Sequence, residues 1–150
     1  DSDDAGAKGN FTLAVSRTPA LLPDNDTCDT AMELIFSGQG VATDSGSTLY
    51  GLDQYDSFCG GVAGPDGVYK FNAGTGQIID IAVASTEFSP ILYLYKDACG
   101  EGSPVFCGVT NALETPPQAG GDYWLVIDSG GEAQWGAYDL TVTLTTPAPP

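Results

Sequence analysis

The sequence predicts an all-β fold: an antiparallel sandwich, jelly-roll-like, of about eight or nine short strands. Three observations carry that expectation. Twenty glycines and ten prolines punctuate 150 residues, and the runs between them are rich in Val, Ile, Thr and Tyr. No long segment has the 3.6-residue apolar spacing of an amphipathic helix. Strands this close together, without crossover helices, must pair antiparallel in two packed layers. An apolar content of 42% in a chain of this length is enough for one core.

The elements follow in order. "FTLAVSR" alternates Phe11, Leu13 and Val15 with polar or small residues, the pattern of a half-buried strand. "TPALLPDNDT" is a linker, prolines bracketing a short apolar run. "CDTAMELIFSG" opens with a helical turn and then extends. A long loop follows, with a short strand around Val41. "VYKF", "IIDIAVAS" and "ILYLY" are strong strands separated by Gly-rich or Ser-Pro turns, and "VFC" is a short one. "DYWLVID" and "GAYDLTVTLTT" complete the set. The chain thus divides into an N-terminal strand and linker, 1–23, and a sandwich domain, 24–150.

Charge and cysteine usage narrow the function. Four basic residues against twenty acidic ones give a net charge of −16. Such a surface repels nucleic-acid phosphates and anionic membranes. Histidine is absent, which removes Ser-His-Asp and Cys-His catalysis. The acids lie in turn-like loops where Asp bonds its own backbone, so the expectation is a protein that is not an enzyme. Cys28, Cys59, Cys99 and Cys107 contain no C-x-x-C pair, which argues against zinc. Their even number predicts two disulfides and a secreted, extracellular or cell-surface protein. Three pairings are possible. The short loop "CGEGSPVFC" favours Cys99 with Cys107, leaving Cys28 with Cys59. The sequence shows no signal peptide or apolar span, and a first residue Asp1 reads as processing or as an excerpt of a longer chain.

A resemblance then emerges. Asp66-x-x-Tyr69-x-Phe71, Leu92-Tyr93-Leu94, Gly121-x-Tyr123-Trp124-x-Val126-x-Asp128 and Gly136-x-Tyr138-x-Leu140 resemble the bacterial pre-peptidase C-terminal (PPC) domain. The resemblance extends from about Asp24 to Thr146, and is to the cysteine-containing variant of secreted myxobacterial-type proteins. It implies a β-sandwich appended to secreted hydrolases or strung along surface proteins, auxiliary in role, some members binding calcium and some aiding substrate contact.

Three further features invite a function. Asp24, Asn25, Asp26 and Asp29, with Asp53 and Asp56, cluster acids on irregular backbone, which could supply calcium with oxygens although no D-x-D-x-D-G loop occurs. The calcium candidates are Asp24, Asp26, Asp53 and Asp56; Asp66 reads as a structural turn residue. Tyr50, Tyr55, Trp124 and Trp135 could form a stacking platform for a polysaccharide, although strand aromatics are usually packed. Asn10 and Asn25 each begin an N-x-Thr sequon.

The last feature is a duplication. An offset of 127 residues takes Gly9, Leu13, Val15, Thr18 and Pro23 onto identical residues Gly136, Leu140, Val142, Thr145 and Pro150, and Phe11 onto Tyr138. One reading is a tandem array, with 1–23 the last strand and linker of a preceding repeat. Another is assembly: a strand copying the domain's own final strand adds to a neighbouring subunit, head-to-tail, in an open filament. A third has it fold back as an extra edge strand. Phe11, Leu13 and Val15 would make the contact, and Leu21 and Leu22 would pack the linker. The expected function is a non-catalytic structural module, a repeat or subunit of an extracellular fibre or surface layer with itself as partner and no required cofactor. The alternative is an auxiliary module of a secreted hydrolase or adhesin that binds calcium and possibly carbohydrate.

Overall fold

The structure, a computed structural model, describes residues 10, 12–16, 23–55, 59, 64–131 and 133–148. A capped 3-10 turn at Cys28–Thr30 precedes nine strands. These are β1 (Met32–Glu33), β2 (Val41–Ser47), β3 (Asp66–Ala73), β4 (Ile78–Ala84), β5 (Pro90–Lys96), β6 (Phe106–Val109), β7 (Ala112–Glu114), β8 (Gly121–Ser129) and β9 (Ala137–Thr145). They form a five-stranded sheet, β1-β3-β8-β5-β6, and a four-stranded sheet, β2-β9-β4-β7. Every strand pair is antiparallel except β1 with β3. The expected all-β sandwich is the observed fold.

Sequence patterns differ between the sheets because their outer faces differ. In β4, Ile79, Ile81 and Val83 are buried while Asp80, Ala82 and Ala84 are exposed. Tyr138, Leu140, Val142 and Leu144 of β9 likewise point inward. That alternation is what a sheet with one solvated face requires. The continuous apolar runs of β5 and β8 instead belong to strands buried on both faces. Leu92, Leu94, Leu125 and Ile127 join the inter-sheet core. Val68, Ile91, Tyr93, Tyr95 and Val126 form a second cluster on the outer face, covered by Tyr55, Trp124 and the half-cystines Cys59, Cys99 and Cys107.

The disulfides are Cys28–Cys99 and Cys59–Cys107, with Cα–Cα distances of 5.8 and 5.9 Å. The expected pairing, Cys99 with Cys107 and Cys28 with Cys59, is therefore wrong. Cys107 lies opposite Tyr93 in the β5–β6 ladder, three residues before β5 ends at Lys96. Roughly 10 Å of strand thus separates it from the turn holding Cys99, beyond the ~7 Å a disulfide spans. Both bridges instead pin loops from elsewhere over the outer face of the five-stranded sheet.

Two other expectations need revision. The short strand around Val41 is seven residues long and pairs with β9 throughout. Its sequence, VATDSGS, hides this because it is an edge strand with only Ala42 fully inward. Gly46 sits opposite Tyr138, and a Cβ there would come within 2.5 Å of that ring. The three residues of β7, Ala112–Glu114, carry no strand signal of their own in the sequence. Residues 12–16, expected as a half-buried strand, lie in neither sheet, and Leu13 and Val15 are 75% and 81% exposed. The strand they copy, β9, is central, and its neighbours β2 and β4 fill both its edges, so the four-stranded sheet has no vacancy for a second copy beside it. Phe11, Leu21 and Leu22 lie outside the described residues.

A polar bolt joins the sheets. Asn25 Nδ2 donates to the Tyr138 hydroxyl at 3.4 Å, the Tyr138 and Tyr69 hydroxyls are 3.0 Å apart, and Tyr69 donates to Asp44 at 2.9 Å. Burial raises the Tyr69 and Tyr138 pKa values, so both remain neutral donors.

Candidate functional site

At one end of the sandwich the segments 24–30, 48–55 and 64–66 meet the end of β8. Asp66 opens β3 directly opposite Asp128 on β8, so the two side chains share a face. The period of two puts them on the outer face with Val68 and Val126. Asp66 Oδ2 accepts from the backbone N–H groups of Gln54 (2.8 Å) and Tyr55 (3.1 Å). Asp128 Oδ2 accepts from the Tyr93 hydroxyl (2.8 Å) and Asp26 Oδ1 from Leu52 N–H (2.7 Å). Asp66 thus plays the expected structural role.

Each of these carboxylates keeps its other oxygen without a hydrogen-bond partner. Asp26 Oδ2, Asp66 Oδ1, Asp128 Oδ1 and Ser129 Oγ are buried and unpartnered, in residues no more than 3% exposed. Both ion pairs among the described residues lie elsewhere, Lys70 with Asp122 and Lys96 with Asp97. Desolvation, reinforced by Asp53 and Asp26, pushes Asp66 up to about 7. Desolvation, reinforced by Asp66 and Asp53, pushes Asp128 up to about 8. The pair therefore holds protons close to neutral pH.

Next to these acids opens a cavity of about 740 Å³. Leu49, Tyr50 and Trp135 form its apolar walls and Asp53 contributes a carboxylate. Gly51, Gly64 and Pro65 complete the lining. The glycines are where the cavity meets the acids. A Cβ on Gly64 would collide with Ser129 Oγ and stand 3.1 Å from Asp128 Oδ1, and one on Gly51 would stand 3.0 Å from Asp26 Oδ1. Tyr50 has φ +68, a conformation uncommon for an aromatic residue.

The predicted site residues separate into two groups. Asp26 and Asp53 come to this region, whereas Asp24 lines another cavity with Asp44 and Met32; Asp56 lies outside the described residues. No group of three or more Asp, Glu or Cys among the described residues is arranged to hold a metal ion, so these side chains alone do not form a calcium shell. Tyr50 and Trp135 share the cavity. Tyr55 instead accepts a hydrogen bond from Cys28 N–H, and Trp124 packs on the outer cluster beneath Lys70. Asn25 is buried and bonded to Tyr138, which leaves no room for a glycan; Asn10 is exposed. Sequence reading missed Asp128 and Ser129. Their signal was an acid closing an apolar run that is buried on both faces.

No protein family and no curated protein matches this sequence. Solved structures are similar. PliG of Aeromonas hydrophila, a periplasmic inhibitor of g-type lysozyme, is similar at TM-score 0.58 and 14% identity over 77% of this chain and 96% of that one. The pre-peptidase C-terminal domain of Bacillus anthracis collagenase is 20% identical over 85% of this chain and all of that one, at TM-score 0.49. At 14% identity the likeness to PliG speaks for the β-sandwich alone.

Proposed function

We propose that this protein is a non-catalytic, extracytoplasmic structural module, a repeat or subunit of a fibre or surface layer joined head-to-tail through residues 1–23. Two disulfides support the compartment. The duplication carries the rest. Phe11, Leu13 and Val15 match Tyr138, Leu140 and Val142, the inward side chains of a strand paired on both edges. A segment with this inward pattern, with Leu13 and Val15 largely exposed, is accounted for when it adds to an outer edge of a neighbouring sandwich's sheet, beside β2 or β7, because β9 itself is paired on both sides. Donor and acceptor surfaces differ, so the contact propagates instead of closing.

Electron microscopy of the natively purified protein, oxidised and without added metal, tests this. Filaments with an axial repeat near one domain length are expected, and deletion of residues 1–23 should abolish them. Dispersed single particles would sink the fibre reading and make the segment the tail of a preceding repeat.

The unpartnered carboxylate oxygens favour a second reading, an auxiliary module that takes calcium at the acid cluster and a polysaccharide against Tyr50 and Trp135. Calcium there would supply positive charge to buried oxygens that no described basic side chain approaches.

A further inference from the structure

We propose that the cavity between Tyr50 and Trp135 seats the chain's own linker, Arg17 to Leu22, so that the N-terminal strand leaves the sandwich at a fixed angle. The purpose of such a seat rests on the head-to-tail reading; the seat itself does not.

Position is the first argument. Pro23, the point at which the linker joins the domain, lines a cavity of about 350 Å³ together with Leu49. Leu49 is also a wall of the 740 Å³ cavity. The linker therefore meets the domain next to the aromatic cavity. Six residues at roughly 3 Å each in extended form are long enough to cross it.

Chemistry is the second. Leu49, Tyr50 and Trp135 are 39%, 61% and 46% exposed, a contiguous apolar surface of the kind that marks an interaction site. Leu21 and Leu22 are apolar side chains of the type that covers it. Prolines at 19 and 23 favour an extended run, which would lower the ordering cost of docking on aromatic rings. The φ of +68 at Tyr50 is backbone strain of a kind found at binding sites.

Charge is the third. From Ala5 to Pro23 the chain carries Lys8 and Arg17 and no acid, whereas beyond Pro23 seventeen acids face two lysines. Those two, Lys70 and Lys96, are already engaged with Asp122 and Asp97. Asp53 on the cavity, with Asp26 behind Gly51, offers Arg17 a negative seat, and Trp135 offers its ring face.

A benzophenone amino acid replacing Trp135 in the full chain, or Tyr50 if that variant folds poorly, tests the seat by photo-cross-linking. The expected product has the mass of one chain and joins the probe to the peptide containing residues 17–23. Leu21→Asp with Leu22→Asp should cut its yield about tenfold or more and, because a seated linker stabilises only the folded domain, lower the melting temperature by a few degrees. Arg17→Glu should also lower it. Cross-links that miss residues 17–23, join two chains, or persist in the leucine variant would overturn the proposal. Microscopy of the same sample separates the two ideas. The one-chain product in single particles keeps the seat and removes the fibre; filaments without it do the reverse.

Discussion

Asp66 and Asp128 decide how this protein responds to pH. Both titrate in the folded state far above the ordinary carboxylate value of 3.8, near 7 and 8, chiefly because burial penalises the charge. The folded chain therefore keeps protons that the unfolded chain has released. Stability from these groups is greatest at or below about pH 4 and falls as pH rises toward the folded values, then levels off. Melting temperature should drop by several degrees between about pH 5 and pH 8, at ~2–4 °C per kcal/mol for a chain of this size. Asp66→Asn retains an oxygen for the Gln54 and Tyr55 N–H groups and should flatten the profile. A melting temperature that rises toward pH 8 would contradict the burial argument. Calcium provides the complementary test, because a bound cation would hold these acids ionised. If the second reading is right, millimolar calcium raises the melting temperature at pH 8 far more than at pH 5. Of these residues Asp66 was legible in advance as a turn-tying acid, and Asp26 and Asp53 as candidate ligands. Asp128 was not, because its burial depends on what covers the outer face of β8.

At the scale of elements, the disulfides do for the five-stranded sheet what a second layer does elsewhere. Cys28–Cys99 and Cys59–Cys107 span 71 and 48 residues, and closing loops of that length restrains the unfolded chain by about 4 kcal/mol each. They also hold cover over Tyr93, Tyr95 and Val126. Replacing Cys59 and Cys107 together by alanine should cost about 2–4 kcal/mol in denaturant unfolding. Peptide mapping should recover the two observed linkages; a Cys99–Cys107 peptide would refute the pairing. The strands themselves divide by how openly they advertise. β4 and β9 were legible from alternation, and β3, β5 and β8 from apolar runs. β2 was legible only as a short strand around Val41 and β7 not at all, because an edge strand is specified by its partner's ladder more than by its own side chains. The pairing error has the same origin: sequence proximity ignored a ladder that holds Cys107 against Tyr93.

Taken whole, the molecule is a stapled sandwich carrying a net charge of −16. Self-repulsion at that charge opposes compactness, and salt screens it over a Debye length of about 10 Å at 0.1 M. The melting temperature at neutral pH should therefore rise by a few degrees from about 0.02 to 0.5 M sodium chloride. No rise would mean the acids are already neutralised by protons or cations. The sequence by itself determined the all-β class, the two-sheet architecture, the presence of two disulfides and the repeated final strand, because periodicity, turn residues and residue identity are local properties of the chain. Which cysteines pair, which acids are stripped of water, that Tyr50 and Trp135 share a cavity, and that the copied strand is a central one were decided by tertiary structure alone. Each depends on distances between residues tens of positions apart, and those distances exist only once the two sheets have closed on each other.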